Sequence, residues 1–110
     1  MRPPRTGALR QRLVLEAPAR VVTEGGAATI TWVQVAALWA EVHPVSGREI
    51  ELADAIKARV THEVRLRYRA GVLPEMRFTG SGARVLEIRS VLDVDERHRW
   101  LICQCEERLP

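Results

Sequence analysis

The residues of this 110-residue chain that could do chemistry are a cysteine pair, an acidic cluster and a row of arginines. Cys103 and Cys105 are spaced C-x-C. A zinc site normally needs four ligands, often as C-x2-C pairs, and His43, His62 and His98 are scattered. On a strand the two thiols would share one face, too far apart along the chain for easy disulfide geometry. They read as buried free cysteines. Asp93, Asp95, Glu96 and His98 lack the length and glycine of a calcium loop; the cluster reads as a solvated turn. His62 reads as a core or rim histidine, because no acid or nucleophile is tied to it by spacing. Gly80-Ser81-Gly82 has no helix behind it to supply aligned amides and reads as a hairpin turn. No P-loop, G-x-S-x-G, H-E-x-x-H or G-x-G-x-x-G motif is present. We assign no catalytic, cofactor-binding or metal-binding residue, and the chain reads as a non-enzyme.

Arg65, Arg67 and Arg69 are the most regular charged feature. On alternate positions of one strand they would project in a row, about 7 Å apart. Like charges repel across a sheet, so such a row needs partners. Those are acids on a neighbouring strand or subunit, or a phosphate backbone. Trp32, Trp39 and Trp100 suit a core, and on a small barrel one of them can anchor a subunit interface.

These residues need strands to hold them. Leu9–Glu16 alternates as a first strand, which Ala17-Pro18-Ala19 ends or bends. Thr23-Glu24-Gly25-Gly26 is a turn. Thr29–Val42 is rich in β-branched and aromatic residues, yet Ala36–Glu41 suits a helix equally well. Read as a strand, its phase fails unless a bulge near Ala36-Ala37 repairs it. Pro44 stops it, and Ser46 with Glu49 forms a capping box for a short helix from Gly47 to Val60. Thr61–Arg69 alternates cleanly, with His62, Val64, Leu66 and Tyr68 on the apolar face. Met76–Phe78, Arg84–Val91 and Arg99–Glu107 complete the set. The fold class is therefore mainly β: a small antiparallel barrel of about six strands, with one short helix inserted between strands 2 and 3. Residues 1–8 read as a flexible N-terminal arm, 9–110 as a single domain, and 43–60 as its inserted segment.

Composition supports an ordinary globular domain, with 46% hydrophobic and 28% charged residues. No apolar run reaches the roughly 18 residues needed to span a bilayer, and Met1–Gly7 has no apolar stretch of the secretory kind. The net charge of +3 is modest, and by itself does not indicate nucleic-acid binding. Lys57 is the only lysine among many arginines. That bias suits interfaces and polyanions, and equally a GC-rich genome.

The chain also resembles a known family. Gly7-Ala8-Leu9-Arg10-Gln11-Arg12-Leu13 is similar to the opening G-x-L-R-x-R-I of phage head–tail joining proteins, also called head-closure or stopper proteins. Thr31–Glu49 resembles their central block, Thr61–Arg77 the next, and Leu86–Glu107 the closing strand, D-x-x-R loop and last strand. Four blocks in order cover nearly the whole chain. The segment after Gly80-Ser81-Gly82 departs by lacking an aromatic.

The resemblance implies a β-barrel subunit of a ring in the neck of a phage or gene-transfer-agent particle, assembled in the bacterial cytoplasm. Its implied partners are other copies of itself, an adaptor or portal-side connector, a tail terminator or tail tube protein, and packaged double-stranded DNA. Six copies are expected, with twelve as the other count, and no membrane is involved. Mapped onto this sequence, the gating region falls on Val45–Val60. Ser46, Gly47, Arg48, Glu49 and Glu51 are thus expected near the lumen or a subunit contact. The other reading of that helix is a plug for the open end of the barrel. The rival function is an OB-like barrel that binds single-stranded nucleic acid, which requires exposed aromatics beside a basic groove.

Overall fold

The computed structural model describes residues 6–45 and 60–108. Six strands form one antiparallel sheet: β1 (Gln11–Val22), β2 (Ala28–Pro44), β3 (His62–Arg67), β4 (Arg77–Gly80), β5 (Arg84–Asp93) and β6 (Trp100–Arg108). Their order is β1-β2-β3-β6-β5-β4, and β4 pairs back to β1 through Val14↔Thr79 and Glu16↔Arg77. The sheet therefore closes on itself as a barrel. The expected mainly β class and strand count match. The helix expected from Gly47 to Val60 falls almost wholly on residues outside the described set.

Alternation decides which residues meet inside. Leu13 and Leu15 from β1, Ala40 from β2, Val64 and Leu66 from β3, and Phe78 from β4 are buried together. Leu86 and Ile88 of β5, Leu101, Cys103 and Cys105 of β6, and Val72 and Met76 from the connection between β3 and β4 complete the packing. Burying an aromatic as completely as Phe78 contributes about 2–3 kcal/mol. At Gly80 the sheet packs closely, since a Cβ there would lie 3.1 Å from Leu13 Cδ2 and that side chain would have to give by a few tenths of an ångström. Beyond it, Ser81–Ala83 turns the chain into β5, with Gly82 at φ 73°.

Two bulges adjust the phase. Leu15 pairs with Ala36 and Glu16 with Gln34, so Val35 is an extra residue in β2. It lies one position before the expected Ala36-Ala37, and it puts Leu38, Ala40 and Val42 toward the interior while Val33 and Val35 stay exposed. In β5, Ile88 pairs with Cys105 and Ser90 with Gln104, leaving Arg89 as the extra residue. The ambiguous stretch Ala36–Glu41 is strand throughout.

Of the two expectations for Ala17-Pro18-Ala19, that it ends or bends the strand, the first is corrected. Ala17-Pro18-Ala19 does not end β1, which continues to Val22 with Pro18 opposite Trp32. Proline fits because the pairing with β4 stops at Glu16 and leaves this part of β1 as an edge. The result is a two-stranded spur, Ala17–Val22 against Ala28–Val33, running past the closed sheet. The molecule is correspondingly long, 49 × 30 × 29 Å. The spur turns at Thr23–Ala27, where Thr23 N–H and Oγ1 both donate to the Ala27 carbonyl.

Candidate assembly surfaces

Three places on the barrel present chemistry outward: the foot of the insertion, the strand carrying the arginines, and the spur. The foot is built by β2 and β3. Val45 N–H donates to the Thr61 carbonyl at 2.9 Å, and Thr61 N–H donates to Cys105 O at 2.9 Å. Residues 46–59 thus leave and return through one hydrogen-bonded clasp, at the end of β2 opposite the spur's turn. Ser46, Gly47, Arg48, Glu49 and Glu51, the expected lumen or contact residues, lie outside the described set. Beside the clasp, Thr61 Oγ1 accepts from the Glu107 amide at 2.7 Å and lies 2.9 Å from His62 Nδ1. Desolvation, then the Arg84 charge, holds the His62 pKa below its ordinary 6.5, with Glu107 partly opposing them.

The three arginines do not form a uniform row. Arg65 lies opposite Glu41 on β2; it bonds Glu63 at 3.0 Å and approaches Glu41 at 3.7 Å. Its acids are thus on its own and the neighbouring strand, while its Nε is buried without a hydrogen-bond partner. Arg67 packs over the Trp100 ring at 5.2 Å, matching their cross-strand register. Arg69 lies beyond the end of β3 and is exposed. Tyr68, between them, stacks on His98 with ring centroids 4.5 Å apart. A groove of about 300 Å³ runs here, lined by Leu9, Leu38, Trp39, Leu66, Tyr68 and the arginines at 67 and 69. Trp39 is half exposed, with the Arg12 guanidinium over it at 5.7 Å.

Elsewhere arginines tie strands to one another. Arg77 bonds Glu16 at 2.7 Å and stacks on Trp32 at 4.1 Å. Arg84 reaches Glu107 at 2.6 Å, and bulged Arg89 reaches Glu106 at 2.6 Å and Glu87 at 2.9 Å. Most of these pairs cannot be read from strand lettering, because they join residues far apart in sequence. The acidic cluster folds on itself: Asp93 accepts from the His98 backbone N–H at 3.0 Å. Cys103 and Cys105 are free and buried, and burial pushes the Cys103 thiol up to about 12 and Cys105 higher still.

This arrangement offers surfaces and braces. The family pattern described as phage head completion protein matches residues 4–108. The chain belongs to that family. Phage head completion proteins are structural components of the virion, not enzymes. The fold is similar to the solution structure of protein SF1141 from Shigella flexneri 2a, at TM-score 0.74 and 29% identity, covering 93% of this chain and 95% of that one. It is also similar to a chain from the virion of a native gene transfer agent particle, at TM-score 0.63 and 27% identity, covering 97% of this head completion protein and 99% of that chain. Among curated proteins none matches.

Proposed function

We propose that this head completion protein is a stopper, or head-closure, subunit. It forms a ring between the portal or adaptor and the tail of a phage or gene-transfer-agent particle, retains packaged DNA and docks the tail. The observation that carries the reading is likeness along almost the entire chain to a subunit within a gene transfer agent virion, joined to the family match. The ring has six copies in this reading, twelve being the other count. The neighbours are a connector on the portal side and a tail terminator or tail tube protein on the other.

The clasp at Val45 and Thr61 supports a working role for the insertion, since the strands on either side of it are tied to each other directly. Ser46, Gly47, Arg48, Glu49 and Glu51 would meet the channel or an adjacent subunit. Arg69, and to a lesser degree Arg67 and Arg65, would face a neighbour or the DNA. Arg65 is the weakest candidate for DNA because its acids already neutralise it.

Deleting Arg48–Asp54 tests the idea. The expected result is a folded subunit and particles that leak DNA or lack tails. Intact, transducing or infectious particles carrying that deletion would rule out gating. A second reading, single-strand binding, draws on the groove that holds Trp39 and Tyr68 beside arginines. Arg12 and His98 already cover a ring face of each, which leaves little stacking platform. Salt-dependent oligonucleotide affinity of the isolated subunit would revive it.

A further inference from the structure

The spur has two open edges among the described residues, and they differ. On β1, Ala17–Val22 pairs only with β2, and on β2, Ala28–Trp39 pairs only with β1. Exposed strand edges are usually blunted by charge, proline or a bulge. β1 carries Pro18 and Arg20 there. The β2 edge from Ala28 to Trp39 holds no charge and no proline, and its outermost seven residues precede the bulge at Val35. Ile30 and Val33 are 63% and 52% exposed. Such an edge favours addition of another strand.

We infer that the occupant is the spur of a second copy, its β1 edge laid along the β2 edge of the first. Three observations favour a copy of this chain over an unrelated strand. The spur itself supplies a complementary edge beyond the donorless Pro18, Ala19–Val22, which fits within the length of Ala28–Val33. Rotation about a single axis keeps strand directions alternating, so the incoming β1 lies antiparallel to β2, as it does within one hairpin. The incoming strand's only charge, Arg20, meets an uncharged neighbour, so no like-charge clash arises. Pairing β2 with β2 would leave both β1 edges open, whereas Ala19–Val22 on β2 repeated around a ring engages both kinds of edge. Head-to-tail pairing of this kind closes into a cycle, and closure of a sheet removes every edge. The spurs then form one continuous antiparallel barrel around the ring axis. This rests on the ring reading above and adds which surfaces close it.

Variants of the full chain that each add one cysteine test it. Ala19→Cys protein is mixed under mild oxidation with Thr29→Cys, Thr31→Cys or Val33→Cys protein, the three covering alternative registers. The native thiols stay protonated and buried and do not compete. The expected result is a disulfide-linked dimer in at least one mixture and essentially none in any variant alone. Equal coupling by Thr31→Cys alone would mean β2 pairs with β2 and would overturn the proposal. So would a chain that stays monomeric at every concentration, or rings of the correct mass in which no mixture couples. In that last case the ring reading stands and the spur assignment falls. Coupling spurs together with intact particles after the Arg48–Asp54 deletion would instead uphold the spur assignment and remove the gating role.

Discussion

His62 sits where β3 begins, half-buried between Thr61, Arg84 and Glu107. Its pKa is lowered in the folded state, so the native protein binds this proton less readily than the unfolded chain does. Below pH 6.5 the unfolded state takes up the proton first, and stability falls as pH drops from 6.5 toward the lowered value. Denaturant titrations at a series of pH values should show that slope, and His62→Gln should flatten it. An unchanged slope in the variant would place the effect elsewhere. The state of the thiols is legible in the sequence: two cysteines one residue apart on a strand, with no second pair, have nothing to bind. The arginines are legible only in spacing. Their partners depend on which strand lies beside β3, and Glu41 is 24 positions from Arg65 in the chain.

At the scale of elements, period-two alternation makes β3, β5 and β6 readable, because one face of each packs a closed core. β2 resists because its apolar residues do not alternate through Val35, and propensity favours helix as much as strand over Ala36–Glu41. Pro18 reads as a stop or a bend because proline lacks a donor. Sequence does not show that the pairing with β4 ends at Glu16 and leaves an edge where no donor is required. The bulge gives a direct test. Removing Val35 leaves Gln34 opposite Glu16 and Ala36 opposite Leu15 in an unbroken ladder. Bulges add local bend and twist, so the Val35 deletion should keep the strand content and melt near the wild type while redirecting the spur. Circular dichroism checks the first expectation, and the mass of the assembled species checks the second. Loss of folding would mean that the bulge serves the core.

At the scale of the molecule, β2 is the member that joins everything. It runs from the spur's turn, along the closed sheet, to the foot of the insertion, so the two candidate assembly features sit at its opposite ends. The closed sheet between them needs few residues, and the 17-residue strand sets the long dimension of the subunit. The family and the strand count are visible in the sequence. The spur is not, because two long neighbouring strands do not disclose how much of each is paired on only one side.

The clasp between Val45 and Thr61 has a consequence for chain continuity. Both sides of it are sewn into the sheet, the first, β2, through β1 and β3 and the second, β3, through β2 and β6. Covalent connection through 46–59 is therefore dispensable once the barrel has formed. Loop closure depends weakly on length, about 0.6 kcal/mol per doubling. A protease site spliced between Lys57 and Ala58 and then cut should yield two fragments that co-elute as one intact-sized subunit and separate only in denaturant. Fragments that part on cutting would show that the intervening peptide, and not the clasp, holds β2 to β3.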